Sequence, residues 1–546
     1  MIDRVPGFRG ILRTDNEARA VYSEAAGIAR IMPLAVAVPA DADDVRTLVQ
    51  WAQATRTPLI PRGSGTSMAG GAVGPGVVVD MSRLRALGEI DVGSRRVWAE
   101  PGVIRDDLAA AARARGMLFP VDPSSGAYCT LGGMASTNAA GAHTLLYGAT
   151  RRWVTALDCV FDDGSRAIVR RGEPPPSHVP AVARLLQCGS TMRRAGAALA
   201  AAHAGVRKES SGYDVRDYVA TGELVDLLVG SEGTLALLVG VELALAPQPA
   251  ATASVLAAFA SLDAAVVGTD AAREERASAC ELLDRTFLEL VRGSGGQSDR
   301  IPKDTEAVLL AEVEGDDDAK AAASARSLAD RFRTAGATYV VVALDSVTEA
   351  ALWNLRHAAS PILARLDASL KSMQFIEDGA VPPPRLADYV RGVRASLATH
   401  GVRAAIFGHA GDAHVHVNPL IDVRDASWRA RVDSLLNDAT AITAELGGTL
   451  TGEHGDGRLR TPLLAKVWPG SARDMFALVK RAFDPQGLLN PGVKVPLDGA
   501  RALGDIKYDP SLAPLPPRAQ RVLAEIEQHR SYATFRLAEL DRDPPV

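Results

Sequence analysis

Arg62-Gly-Ser-Gly-Thr-Ser-Met-Ala-Gly-Gly71 decides the fold. It follows the short apolar run Pro58-Leu-Ile60 and precedes Val77-Val-Val79, so it reads as a glycine-rich loop leaving one strand and leading to another. Successive backbone N–H groups in such a loop can form a nest for an anion such as a pyrophosphate. Spelling excludes two familiar phosphate loops. After Gly63-x-Gly65 the dinucleotide fingerprint requires glycine at position 68, where Met68 stands, and the Gly-Lys-Ser/Thr of a P-loop is absent. On this segment alone, a tight turn and a cofactor cradle both stay open.

Working outward, Leu34–Val38 is an apolar run, Pro39-Ala-Asp41 carries helix-start chemistry, and Val45–Ala54 is amphipathic, which makes the region β-α-β-loop-β. Strand Val97–Ala99, helix Asp106–Arg115, a small polar segment Pro123–Gly148 and strand Leu157–Phe161 follow. After the break at Pro174-Pro-Pro176 comes an Ala-rich helical stretch, then strands over Val225–Ala246 around Gly230-Ser-Glu-Gly233. Pro247-Gln-Pro249 marks a boundary. Beyond it, strand Ala251–Phe259, helix Leu262–Arg276, strand Ala307–Val313 and helix Asp316–Gly336 predict a second, α+β domain. Strict alternation in Ala413-His-Val-His-Val-Asn418 predicts a strand with His414, His416 and Asn418 on one face. A proline cluster at Pro514–Pro517 and a polar helix Gln520–Glu539 read as a tail. The expected division is a helical segment 1–31, domains 32–247 and 248–495, and a tail 496–546.

Composition narrows the function. Sixty basic against sixty-five acidic residues, net −5, offer no broad cationic face for nucleic acid. Cys129, Cys159, Cys188 and Cys280 lie far apart without a C-x-x-C pair, which excludes a disulfide scaffold and a cysteine-held cluster and suits a reducing compartment. No stretch of about 20 apolar residues predicts a membrane span. The expected location is the cytoplasm, with peripheral attachment at a membrane as the alternative.

A second small-residue segment joins the glycine loop: Asp122-Pro-Ser-Ser125, then Cys129-Thr-Leu-Gly-Gly-Met-Ala-Ser-Thr-Asn138, ending at Tyr147-Gly148. Small residues let backbone approach a large ligand, and Ser, Thr and Asn supply neutral hydrogen bonds. Arg62–Gly71, Asp122–Asn138 and Gly230-Ser-Glu-Gly-Thr234, in this order and spacing, resemble the FAD-binding domain of the vanillyl-alcohol-oxidase/p-cresol-methylhydroxylase flavoproteins over roughly residues 32–247. The resemblance implies an α+β protein, with a two-part α/β FAD-binding domain and an α+β substrate (cap) domain. It assigns Arg62, Gly63, Ser64, Gly65, Thr66 and Ser67 to the pyrophosphate, and Pro123, Ser124, Thr130, Gly133, Ser136 and Asn138 to the isoalloxazine and ribityl chain. Glu232 and Gly233 would close the site. Relatives that bind flavin covalently often place a histidine in the first loop; none stands between Arg62 and Gly71, so the FAD is expected to be non-covalent. Met134 occupies a position where many relatives carry Asn.

His409-Ala-Gly-Asp-Ala-His414-Val-His416-Val-Asn418 and Gly452-Glu453-His454-Gly-Asp-Gly457 hold four of the ten histidines. Imidazole with carboxylate suits Zn²⁺ or Mn²⁺, although a single histidine is more often a hydrogen-bonded core residue. Both segments resemble the D-2-hydroxyacid dehydrogenase branch of the same superfamily, which includes D-lactate, D-2-hydroxyglutarate and glycolate dehydrogenases. That resemblance implies His409, His416 and Glu453 as metal ligands, His454 as base and Asn418 as a substrate contact, with His414 in a position where the family has Asn. Arg356, in Leu352-Trp-Asn-Leu-Arg356, and Lys371, before Phe375-Ile-Glu-Asp378, would hold substrate carboxylate. The implied activity is FAD-dependent oxidation of a D-2-hydroxy acid, such as D-2-hydroxyglutarate or D-lactate, to the 2-keto acid, with hydride passing to flavin N5 and a metal-assisted histidine base. Without cluster-binding cysteines, electrons are expected to leave to a quinone, a cytochrome, an electron-transfer flavoprotein or a separate iron–sulfur subunit; a homodimer is also expected. The competing readings are an alditol or aldonolactone oxidase and a non-catalytic FAD-binding subunit of an oxidase complex.

Overall fold

The computed structural model describes residue 2 and residues 4–292, 296–358, 369–530 and 532–541. Strands Ala35–Val38, Val77–Asp80 and Leu59–Arg62 run parallel in one small sheet, with Ile11–Arg13 antiparallel at its edge. Helix Ala42–Thr55 makes the crossover. Asp41 caps its start by accepting from the Asp43 and Asp44 amides, and Arg56 ends it in the left-handed region at φ 54°. Consecutive apolar residues in the strands are buried on both faces, as a covered parallel sheet demands. The 1–31 segment therefore supplies a strand as well as the helix Asn16–Val21.

A second, antiparallel sheet orders Arg96–Ala99, Leu237–Ala244, Val154–Val160 and Arg166–Arg170. One expectation here needs correction, and one segment left unassigned takes shape. Val225 opens no strand, because Leu224–Leu228 is a short helix, and Leu131–Thr137 is helical despite Gly132 and Gly133. A short apolar run cannot be told from a buried helical turn by periodicity. In the second case, Thr130 rescues a poor helix former by accepting from the Gly133 amide.

The second half is one seven-stranded antiparallel sheet in the order Ala337–Ala343, Ala251–Phe259, Ala307–Gly315, Ala279–Asp284, Arg403–Gly408, His416–Asp422, Leu370–Ser372. Period two splits its side chains between two cores: Val255, Ala257 and Phe259 face the helices Leu262–Glu274 and Asp318–Thr334, while Leu256 and Ala258 join Leu283, Leu310, Phe407 and Leu420 on the other face. The last strand of the histidine segment begins at His416. His414 precedes it, because Ala413 turns the chain at φ 53° after a 3₁₀ turn. The polar C-terminal stretch is two helices, Pro517–His529 and Tyr532–Leu540, with residue 531 outside the described residues. They pack on Asn16–Val21, and buried Arg536 donates to the Val21 and Glu24 carbonyls at 3.0 Å each. Among the described residues, no helix is long and apolar enough to cross a membrane, and all four cysteines are unpaired.

His143 and Tyr147 join the two halves. His143 Nδ1 lies 2.6 Å from Asp122 and Nε2 2.9 Å from Glu312 on the seven-stranded sheet; Tyr147 donates to Glu314 at 2.8 Å. Burial pulls the His143 pKa down, but Asp122 and Glu312 outweigh it and hold it well above the ordinary value. A raised folded-state pKa contributes stability in full below the unfolded value near 6.5, and that contribution disappears as pH climbs through the folded value. His143→Gln is therefore expected to cost about 1–2 kcal/mol near pH 6, with the deficit shrinking as the solution becomes alkaline. Urea midpoints of both proteins across pH measure this directly; a deficit constant with pH contradicts it.

Candidate active site

A cavity of about 700 Å³ opens where the glycine loop, the Asp122–Thr137 segment, the exposed end of the seven-stranded sheet and the C-terminal helices meet. Its size is that of a ligand site. Arg62, Gly63, Ser64, Gly65, Thr66 and Ser67 line one wall; Pro123, Ser124, Thr130, Gly133 and Ser136 line the next, and Glu232 and Gly233 stand beside them. Two details fit a phosphate-bearing ligand against the loop. The buried hydroxyls of Ser64 and Ser67 have no hydrogen-bond partner among the described residues. A Cβ on Gly63 would fall 2.3 Å from Thr130 Oγ1, so only glycine lets these two walls approach.

Three of these residues act differently from the rest. The Arg62 guanidinium donates to the Ala72 and Glu24 carbonyls and stands 5.3 Å from the Tyr22 ring, so within the wall it braces the loop. Asn138 does not line the cavity. It ends the 131–137 helix at φ 52°, and its Oδ1 accepts from the Arg151 amide at 2.9 Å. The Glu232 carboxylate accepts from the Asp456 and Gly457 amides and pairs with buried Lys494 at 3.1 Å, which ties the glutamate–histidine turn to the Gly230–Gly233 turn. Gly457 sits so close that a Cβ there would lie 2.0 Å from Ala69 O.

The opposite wall carries the ionisable cluster. His416 and Asn418 share the cavity face of their strand, and the Asn418 Nδ2 is buried without a partner among the described residues. His409 leaves the adjacent strand at its end, and the Gly452–Gly457 turn delivers Glu453 and His454. Glu453 Oε1 lies 3.2 Å from His409 Nε2 and 3.4 Å from His416 Nε2, and the two imidazole nitrogens are 3.4 Å apart. Potential ligand atoms of His409, His414, His416 and Glu453 all fall within 4.8 Å of one another. Buried imidazole nitrogens converging on one carboxylate oxygen are a donor set suited to Zn²⁺ or Mn²⁺. His414 Nε2 lies 2.9 Å from Asp378; burial, the main cause, drives its pKa down to about 3, so it is neutral. His416 Nδ1 lies 2.8 Å from the Glu377 carbonyl, which directs Nε2 inward.

His454 stacks on His416 with centroids 5.4 Å apart; its Nδ1 is 3.3 Å from Glu377 and its Nε2 3.8 Å from Glu453. Burial lowers its pKa, but Asp378, Glu377 and Glu453 outweigh this and raise it to about 9. Arg356 Nε donates to Glu281 at 2.6 Å with the guanidinium 5.0 Å from the Phe407 ring. Lys371 is apart from these groups. It pairs in register with Ile421, so it points from the sheet face opposite to His416 and Asn418, and its ammonium stands 5.4 Å from the Tyr508 ring on the C-terminal side of the cavity.

Several residues of this site carry no motif. Glu281 accepts from Arg356 and sits 2.7 Å from His409 Nδ1. Burial would raise its pKa, yet His409 and Arg356 keep it ionised. A lone carboxylate within the apolar strand Ala-Cys-Glu-Leu-Leu is the signal that marks it. Lys208 is fully buried against Glu453, and Arg460 pairs with Glu377 and Asp378. Neither pairing is visible before the chain folds.

A cofactor-sized cavity thus lies between a glycine-loop domain and a histidine-rich sheet, and sequence similarity identifies the class as a FAD-dependent oxidoreductase. The sequence matches the FAD binding domain over residues 33–169 and the FAD linked oxidases, C-terminal domain, over 248–493. It is 30% identical to glycolate oxidase subunit GlcD of Bacillus subtilis over 482 residues, covering 87% of this chain and 92% of that protein. It is also 30% identical to D-2-hydroxyglutarate dehydrogenase of Pseudomonas putida over 529 residues, where it spans about half the relative's length, 52%. The fold resembles 4-ethylphenol oxidase from Gulosibacter chungangensis, with TM-score 0.63 at 16% identity over 89% of this chain and 94% of that one. The chain belongs to the FAD-linked oxidase family with the vanillyl-alcohol-oxidase/p-cresol-methylhydroxylase fold.

Proposed function

We propose that this protein oxidises a D-2-hydroxy acid to the corresponding 2-keto acid, with non-covalent FAD in the glycine-loop half of the cavity and a divalent metal ion at His409, His416 and Glu453. One observation carries the reading: two buried imidazoles, a carboxylate and a further histidine converge on the cavity wall facing the glycine loop. When bound, the flavin supplies the two-electron acceptor, and the ion supplies polarisation of the substrate hydroxyl and a charge that opposes protonation of His454.

The chain's own groups do the remaining work. Arg356 offers its Nη groups to the carboxylate while Glu281 holds Nε and fixes the plane. Asn418 Nδ2 donates to a substrate oxygen, which satisfies an otherwise orphaned buried donor. Glu377 orients the His454 ring through Nδ1, so Nε2 is the atom that takes the hydroxyl proton. Lys371, on the other sheet face, is left out of this carboxylate grip.

The relatives' names and the Arg356 and histidine–glutamate groups lining the cavity favour hydroxy acids over alditols, which call for no paired guanidinium and metal-ligating cluster. Anaerobic mixing of the flavin-loaded protein with matched D- and L-2-hydroxy acids tests the reading. Bleaching of the flavin by D-enantiomers is expected; bleaching by alditols alone, or by no 2-hydroxy acid, refutes it. The electron acceptor proposed is a quinone, a cytochrome, an electron-transfer flavoprotein or a separate iron–sulfur subunit.

A further inference from the structure

Lys208 is a fully buried cation supplied by the loop after helix Gly189–Ala201 of the FAD-binding half, yet it ends on the metal cluster of the other half. Its ammonium donates to Glu453 Oε2 at 3.1 Å and to the Gly141 carbonyl at 2.8 Å, and lies 3.8 Å from Asp412 Oδ2. Arg207, its neighbour, donates to Asp412 Oδ1 at 3.1 Å. Burying an ammonium beside a set of cation ligands is costly in two ways, through desolvation and through repulsion of the ion. Packing alone does not call for a charge there.

The division of labour on the carboxylate suggests what the charge does. Oε1 faces both imidazole nitrogens, whereas Oε2 is engaged by Lys208 on the other side. We propose that Lys208 is a positioning residue that restricts Glu453 to one-oxygen coordination of the ion, keeping a coordination position open for the substrate. A carboxylate with a free second oxygen can chelate a divalent ion through both, and that would fill the position a catalytic site must leave vacant. Because the ammonium also grips Gly141, in the segment whose neighbours Ala140 and Ala142 line the cavity, it holds the glutamate from the cofactor side rather than from its own domain.

The inference rests on the metal reading above, and cobalt(II) separates the two. The flavin-containing protein is stripped of metal and reloaded with Co²⁺ alone, and its visible d–d band is recorded as a difference spectrum against the metal-free protein. If the parent takes up no Co²⁺, the metal reading fails and this one with it. If it does, Lys208→Met is expected to weaken the band several-fold, as the site gains a ligand atom, and to lower kcat by about 10–100-fold with flavin content unchanged. Lys208→Arg, which keeps the charge, is expected to retain the intense band. Should the Met variant fail to hold FAD, Lys208→Gln serves: it is neutral and one bond too short to reach Glu453, and the same weakened band is expected. A band identical to the parent's in the neutral variant overturns the proposal.

Discussion

Glu453→Gln is expected to abolish divalent-ion binding at the proposed His409, His416 and Glu453 site: ion content by elemental analysis falls to background, FAD content stays at the parent level, and turnover drops steeply. The substitution preserves shape and removes charge. Glu453 Oε1 is the atom shared by His409 and His416, and without its anionic character the two imidazoles are a weak pair for a hard divalent ion. The loss also removes the nearer of the two carboxylates facing buried Lys208, leaving its ammonium with Asp412 at 3.8 Å and the Gly141 carbonyl. Lewis-acid polarisation is worth several kcal/mol, and at about 1.4 kcal/mol per decade the rate should fall on the order of 10³-fold. Full turnover in a metal-free variant would remove the ion from the reaction.

His454→Ala is the second large effect. The variant should retain both FAD and metal, because His454 contributes no bond to the glycine loop and its nearest ring, His416, keeps its own carbonyl partner. Reduction of the flavin by substrate under anaerobic stopped-flow mixing should slow by about 10²–10⁴-fold, the range of a lost general base. The side chain is 26% exposed, the most open of the cluster, which is what a group that must meet substrate requires. Normal flavin reduction would exclude it as the proton acceptor. A fall in metal content with the rate would instead place His454 among the ligands, since its ring nitrogen also lies within 4.8 Å of ligand atoms of Asp378, His416 and Glu453.

The legibility of this chain differs from segment to segment for physical reasons. Ala251–Phe259 and Val77–Val79 were readable because predominantly apolar runs of strand length, bounded by turn residues, have few other folds. The alternation at Ala413–Asn418 misled by three residues at its start, since a left-handed turn at Ala413 is invisible to periodicity. Lys371 stood in a cationic position by resemblance, but strand register decides which sheet face a side chain takes, and register is a long-range property. The C-terminal stretch read as a tail because its polar helices bury only narrow stripes, Ala519, Val522 and Ile526 among them. Their partners lie 500 residues earlier, at Ala18 and Val21.

By itself the sequence determined the chemistry on offer: two small-residue loops able to cradle a large anionic cofactor, and a histidine–glutamate set able to hold a divalent ion. These are local properties of residue type and spacing. Tertiary structure alone decided that Glu281, Lys208 and Arg460 complete the cluster, that Asn138 caps a helix, and that Lys371 reaches the cavity from the sheet face opposite to His416 and Asn418. Charges become partners only when the chain folds and excludes water, because in solvent each would be screened and unremarked.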